Sequence, residues 1–469
     1  MRNRKRRIEF FSLYNHTSIT AHLEKMARKG WLLEEIRNTT WIYRRIEPKQ
    51  LHFAVSYYPK ASEYDPEPAP EQQDFWDFCA HTGWKLTCTS AQMQIFYNEQ
   101  EHPVPIDTDA ELEVETIHEA VWKSYFPGQI VLLVMGIIIL FINLMLCYGN
   151  PIAYLSSPVQ IFGALCWGIV IFMTAMELIA YDRWHKKAEE AAENGIFLDT
   201  VNTTPIQIGC LAVVGIGIVY LLLSYILPGE SMMLFSLTVM WVYVFVLFPL
   251  VQGISRLLKR WKASRNVNRG VTMLVSFVMS FLLFNTVILG TWSLEEKGYF
   301  DKEEVETYEH LGMTWEFRKD KLPLRLEDFM EVDSEIYTYA RRGDTSFIVS
   351  DETMTQQPRF DLENHADLPE LRYRVVEVNL PFLYDSCRRQ MVKDLTQAAM
   401  LEIPYEYRDK LEAVEAAPWG AEEAFYVVND SNNWESNRFL LCYEDRFVDI
   451  TFDWTVTEDQ KGIVASIFG

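Results

Sequence analysis

GQIVLLVMGIIILFINLMLCY, running from Gly128 to Tyr148, contains no charged residue, and its only amides are Gln129 and Asn143. A helix rises about 1.5 Å per residue and the hydrocarbon core of a bilayer is about 30 Å thick, so this stretch is long enough to cross once. Four further runs of the same kind follow: Val159 to Ala180, Ile206 to Leu227, Met232 to Val251 and Val271 to Trp292. Inside hydrocarbon a free N–H or C=O has no water to bond, which leaves helix as the conformation for all five. Aromatic residues flank them, with Trp122, Tyr125, Phe126, Trp184, Trp261 and Trp292 at the positions where amphipathic rings favour the headgroup level. The expectation is an integral, multi-pass membrane protein whose partner is the lipid bilayer and whose location is the cell membrane.

The Lys and Arg residues of the connections between the runs all fall on one side. Arg183, Lys186 and Lys187 lie between runs two and three, and Arg256, Lys259, Arg260, Lys262, Arg265 and Arg269 lie between runs four and five. The other two connections, Gly149 to Pro158 and Pro228 to Ser231, hold no Lys or Arg. Cytoplasmic loops retain positive charge, so residues 1–127 are expected in the cytoplasm and residues 293–469 outside. Acid is concentrated in the outer part, where 39 Asp and Glu face 19 Lys and Arg, within a chain of net charge -22. Such a surface argues against nucleic acid or anionic lipid as its partner.

Residues 1–127 repeat at an offset of 53 positions. Met26-Ala-Arg-Lys-Gly-Trp-Leu-Leu33 falls over Cys79-Ala-His-Thr-Gly-Trp-Lys-Leu86, and Ile42-Tyr43 falls over Ile95-Phe96. In each copy a helical pattern stops at a glycine, Gly30 or Gly83, the residue that accepts the left-handed position closing a helix. Two alternating segments follow each Gly-Trp, Leu32 to Ile36 with Trp41 to Ile46 and Lys85 to Thr89 with Gln92 to Tyr97, and read as hairpins. Ile8 to Tyr14 and Leu51 to Tyr58 are expected as the strands before the helices, and Pro59 to Pro70 as the linker. The order strand-helix-strand-strand, twice, predicts an α+β domain with helices on one face of an antiparallel sheet. Duplicated units of this order in multidrug-sensing domains bind small molecules between the copies. By that analogy Trp31, Trp41, Tyr43, Trp84 and Phe96 are candidates to line a groove, with core packing as the competing role.

The run Leu23-x-x-Met-Ala-x-x-Gly-Trp-x-Leu33, with Tyr43, the Phe53 to Tyr58 strand, Gly83-Trp84 and Ile95-Phe96-Tyr97, resembles the bacterial domain-of-unknown-function family 2812 over roughly residues 8–118. The resemblance implies a cytoplasmic domain combined with membrane spans and a genomic association with PadR-like transcription regulators. It implies no activity, ligand or functional residue.

The remainder, 293–469, reads as a second α+β domain. Val332 to Tyr339 and Thr345 to Ser350 are expected as strands around a turn at Arg341-Arg-Gly-Asp344, Leu371 to Val378 as another, and Cys387 to Ala399 as a helix. Ala424 to Val428, Phe439 to Tyr443 and Phe447 to Phe452 read as a meander with turns at Asp430 to Asn433 and Glu444-Asp445, closed by a helix over Thr457 to Phe468. Cys387 and Cys442 share this compartment, which leaves a disulfide or two reduced core thiols. Asp430, Asp445, Asp449 and Asp453 read as the solvated face of that meander. In the runs, Glu177 is expected to snorkel towards Arg183.

No His-Glu-x-x-His, Gly-x-Ser-x-Gly, phosphate-loop or dinucleotide pattern occurs, and no Cys or His pair has metal spacing. These readings lead to a non-enzymatic sensor or regulatory protein without a cofactor, joining an outer domain to a cytoplasmic domain that binds a ligand or protein. The competing expectation is an accessory subunit of a transporter or channel.

Overall fold

A computed structural model describes residues 3–37, 40–226, 231–297, 306–363, 365–396, 410–428 and 437–469. Two compact units divide the chain: Met1–Ile139 with Leu165–Val219 and Met232–Leu294, and Leu140–Ala164 with Tyr220–Ser231 and Glu295–Gly469.

In the first unit, β1 (Arg4–Ile8), α1 (His16–Arg28), β2 (Trp31–Arg37) and β3 (Thr40–Arg45) are followed by β4 (His52–Tyr57), α2 (Pro70–His81), β5 (Lys85–Ser90) and β6 (Met93–Asn98). The repeat is therefore real in three dimensions. It builds two antiparallel sheets, ordered β1-β3-β2 and β4-β6-β5, and not the single sheet expected. Each has a bulge at the equivalent place, between Leu33 and Glu35 against β3 and between Leu86 and Cys88 against β6. Such bulges kink an edge strand and increase its twist.

Gly30 and Gly83 close the helices at φ +80° and +88°. Behind Gly83, the Trp84 N–H donates to the Cys79 carbonyl at 3.0 Å, as a glycine-terminated helix end requires. The first strand is shorter and earlier than the expected Ile8 to Tyr14: its described pairing with β3 runs from Arg4 opposite Arg44 to Ile8 opposite Thr40.

The copies pack differently. Ile19, Leu23, Met26 and Ala27 of α1 share one core with Leu33 and Tyr43 of their own copy and with Phe53, Val55 and Ile95 of the other. From α2, only Cys79 is fully enclosed among apolar groups, against Trp84 and Phe96.

Next come α3 (Ala110–Ala120), a π-helical turn over Val121–Tyr125, α4 (Phe126–Gly149), α5 (Pro151–Ser156), α6 (Pro158–Ala192), α7 (Thr204–Ile226), α8 (Ser231–Arg260) and α9 (Arg265–Glu296). Five helices, over Ala110–Gly149, Pro158–Ala192, Thr204–Ile226, Leu234–Arg260 and Arg265–Leu294, are long and apolar enough to cross a membrane. They contain the five runs, apart from Leu227, which lies outside the described residues, and from Met232 and Met233, which precede Leu234.

In the second unit, β7 (Glu306–His310) and β8 (Met313–Phe317) form a hairpin. The strands β9 (Tyr337–Thr345), β10 (Val349–Pro358), β11 (Leu371–Val378), β12 (Lys410–Val414), β13 (Glu423–Val428), β14 (Asn437–Cys442) and β15 (Arg446–Phe452) make an antiparallel sheet ordered β12-β13-β14-β15-β11-β10-β9. Apolar clusters form on both faces: α10 (Tyr384–Thr396) brings Cys387 and Met391 to one, α11 (Glu458–Phe468) brings Val464 and Phe468 to the other. Ile152 of α5, in the connection after run one, is fully buried in the first of these.

Arg341 to Asp344 is not a turn. All four residues pair with β10, and the reversal comes later, where the Ser346 N–H donates to the Val349 carbonyl at 3.0 Å. A Cβ on Gly343 would stand 2.0 Å from the Asp351 carbonyl oxygen, so glycine here permits close strand approach rather than a turn.

Candidate functional site

Glu177 sits in run two and is 5% exposed. It does not reach towards Arg183. Ser12 Oγ donates to its Oε2 at 2.8 Å and the Tyr14 hydroxyl to the same oxygen at 3.4 Å, while Thr203 Oγ1 and Gln207 Nε2 donate to Oε1 at 2.5 and 2.6 Å. Burying an ion is costly unless its lone pairs are filled, and neutral donors fill them here. Burial, and next the Glu177 charge, push the Tyr14 and Tyr125 phenols well above the usual range.

The donors come from separate parts of the unit. Ser12 and Tyr14 belong to the segment after β1, Thr203 to the connection after run two, and Gln207 to the start of α7. The same two segments meet again where Thr17 and Thr200 share a hydroxyl contact at 2.7 Å and Thr204 Oγ1 donates to the Phe10 carbonyl at 2.8 Å. Rings close the site: Tyr14 meets Tyr181 edge-on at 5.1 Å and stacks on Trp184 at 5.9 Å. The arrangement holds the duplicated domain on the end of α6 and α7.

A second attachment joins the inter-copy linker to the connection after run four. Arg265 Nε and its terminal amine donate to the two Asp65 carboxylate oxygens at 2.6 and 2.8 Å, Lys262 meets Glu67 at 2.6 Å, and Asn268 Nδ2 donates to the Tyr64 carbonyl at 3.2 Å. The fork geometry of the arginine is the stronger part of this contact.

Nearby, His16 at the start of α1 stands 3.3 Å from the Glu113 carboxylate on α3. Burial, reinforced by Asp107, pushes the Glu113 carboxyl up to about 7, while burial lowers the His16 imidazole.

The five aromatic residues named as groove candidates do not line one surface. Trp41 and Tyr43 are buried in the larger core of the duplicated domain, Trp84 and Phe96 in the smaller, and Trp31 alone reaches a concave surface. Gly30 and Gly83 follow α1 and α2 with positive φ. Cys387 and Cys442 are buried free thiols, pushed up to about 11 chiefly by burial, and the disulfide option is set aside. Asp449 is not solvated: it is 9% exposed and takes both arms of Arg438 at 2.8 and 2.7 Å. Asp445 is bound by Arg446 and Asp453 accepts from the Glu370 N–H, whereas Asp430 and the turn to Asn433 lie outside the described residues. Among the described residues no group of three His, Cys, Asp or Glu has metal-binding geometry.

The Glu177 donors were missed because a hydroxyl in a loop has no pattern. One signal exists: an acid inside an apolar run, followed by the polar segment Thr200-Val-Asn-Thr-Thr204.

Residues 16–127 match the family described as "Protein of unknown function (DUF2812)". The match runs from the start of α1 through α3 and leaves β1 of the first copy outside it. No curated protein and no solved structure matches the chain.

Proposed function

We propose that this protein is a non-enzymatic membrane sensor or regulator, in which an outer domain acts through the helices on a cytoplasmic DUF2812 domain that binds a ligand or protein. The Glu177 site carries this reading. A domain that only needed tethering would require one covalent link, whereas here a buried carboxylate ties its first loop to two apolar helices. Movement of α6 or α7 then changes the hydrogen bonding of Ser12 and Tyr14 directly.

Orientation is supported by the sorting of the connections. Those rich in Lys and Arg bond to the duplicated domain through Thr200, Thr204, Lys262 and Arg265, while the uncharged connection holding Ile152 packs into the core of the seven-stranded sheet. With positive charge retained in the cytoplasm, the duplicated domain is inside.

The test compares wild type, Glu177→Gln and a chain lacking residues 296–469 in their own cells. Transcripts of the neighbouring genes, PadR-like regulators included, and the cytoplasmic proteins bound to residues 1–127 are expected to change in both variants. If neither changes, sensing is removed, and ion flux through liposomes or co-purification with a permease would favour the accessory-subunit reading.

A further inference from the structure

A groove of about 1150 Å³ at the β1-β3-β2 sheet is lined by Arg4, Lys5, Arg6, Trp31, Arg37 and Arg45, with Ile42 in its wall and Glu34 and Glu35 beside them; the register places Arg4 and Arg6 on one face of the sheet and Lys5, Trp31 and Arg45 on the other. Its charges are unequally matched. Arg4 bonds to Glu34 at 2.5 Å and Arg37 to Glu35 at 2.6 Å. Among the described residues, Lys5, Arg6 and Arg45 have no carboxylate partner. Lys5 and Arg45 instead lie over the Trp31 ring at 5.4 and 6.0 Å, which fixes their stems while leaving their donors available.

The register adds to this. Arg4 and Arg6, alternate residues on one face of β1, both line the groove, and Arg4 lies directly opposite Arg44, which is outside the lining. Like charges facing across a ladder are destabilising, so a bound anion would relieve repulsion along this row. Arginine forks match the oxygens of a phosphate.

We infer that this groove binds a phosphate-bearing anion. An anionic phospholipid headgroup and a soluble phosphate share that chemistry. Glu34 adds a requirement, since its Oε2 is buried without a hydrogen-bond partner and suits a ligand that also presents an O–H or N–H donor. This inference does not rest on the sensing proposal, and either can fail without the other.

The experiment uses the full chain in a non-ionic detergent, titrated calorimetrically with dihexanoyl phosphatidylglycerol, dihexanoyl phosphatidylcholine and inorganic phosphate. Wild type is expected to bind the glycerol lipid, and the triple variant Lys5→Gln, Arg6→Gln, Arg45→Gln to bind it about 100-fold more weakly, the effect of removing three cations that act on an anionic headgroup. A control pair, Arg28→Gln with Lys29→Gln at the end of α1, is expected to bind as wild type does. Arg6→Gln alone, with a loss of about fivefold, serves if the triple variant does not fold. Displacement of the lipid by inorganic phosphate upholds the site and assigns it to a soluble ligand, while failure of phosphate to displace it assigns the site to lipid. Equal binding by wild type and folded variants, equal loss in the control pair, equal affinity for phosphatidylcholine, or no binding of either phosphate-bearing anionic probe by wild type would overturn the inference.

Discussion

Buried carboxylates are treated differently in the two units. Glu177 is satisfied by hydroxyl and amide donors from three separate segments, none of them charged. In the seven-stranded sheet, buried Asp449 is gripped by Arg438 from the neighbouring strand, and half-buried Asp351 is held by Arg374 at 2.7 Å, which also meets the exposed Asp394 of α10 at 3.0 Å. A guanidinium fork across adjacent strands stiffens a sheet that is already paired. Neutral donors on separate segments make a joint, which holds only while all the segments stay in place.

The sharpest way to break this contrast is Glu177→Ala. Four donors lose their acceptor at once, and a loss of about 3–5 kcal/mol in the stability of the first unit is expected, read by thermal melting and by protease sensitivity of residues 10–17. An equal effect on both units would show that Glu177 is ordinary packing. For the second unit, Arg374→Met leaves two carboxylates facing each other's field in a half-open site, with a loss of about 2–3 kcal/mol confined to that unit.

A third change tests the His16 and Glu113 pair. The folded-state carboxyl of Glu113 titrates near 7, above its ordinary value of 4.5, so the folded form holds the proton more tightly. The associated stability is fully present below pH 4.5 and is lost as pH rises through about 7. Glu113→Gln should therefore match wild type at pH 4.5 and exceed it by about 2 kcal/mol at pH 8, in melts run across that range. Burial of His16 acts in the opposite sense, costing stability as pH falls below its ordinary value, and Asp107 and Asp199 are the other charges facing the pair. A constant difference between the two proteins at all pH values would contradict the assignment to Glu113.

The copies of the repeat supply the smallest effects. At Gly30 a Cβ would lie 2.9 Å from the Ile46 carbonyl oxygen, whereas at Gly83 it would meet the Gln100 side-chain amide at 3.0 Å, a group that can swing away. Both alanine variants carry the left-handed backbone penalty, so losses of about 1.5 kcal/mol for Gly30→Ala and about 1 kcal/mol for Gly83→Ala are expected in denaturant titrations. The reverse order would mean that the first copy is the more adaptable.

What could be read in the sequence was whatever depends on neighbours along the chain. Apolar length exposed the five helices, the offset of 53 exposed the repeat, and Gly-Trp marked both helix ends. Leu371 to Val378 was legible as a strand because Leu371, Tyr373 and Val375 alternate with Arg372 and Arg374. The joint was not legible, because Ser12 and Tyr14 stand 165 and 163 positions from Glu177. Likewise, Arg341-Arg-Gly-Asp344 has turn composition, yet pairing with β10 keeps it extended. Aromatic residues at equivalent places in a repeat suggested a groove; tertiary packing put four of the five into cores, and the concave surface formed beside the fifth, where basic residues of β1 and β3 converge.

The division of the chain by a membrane is tested most directly by thiol labelling. In a chain whose seven cysteines are replaced by alanine, single cysteines at the exposed positions Lys187, Lys262 and Phe382 are treated with an impermeant maleimide in intact cells. Phe382→Cys is expected to label at once, and Lys187→Cys and Lys262→Cys only after the cells are permeabilised. Labelling of Lys262→Cys in intact cells, with Phe382→Cys protected, would contradict the account.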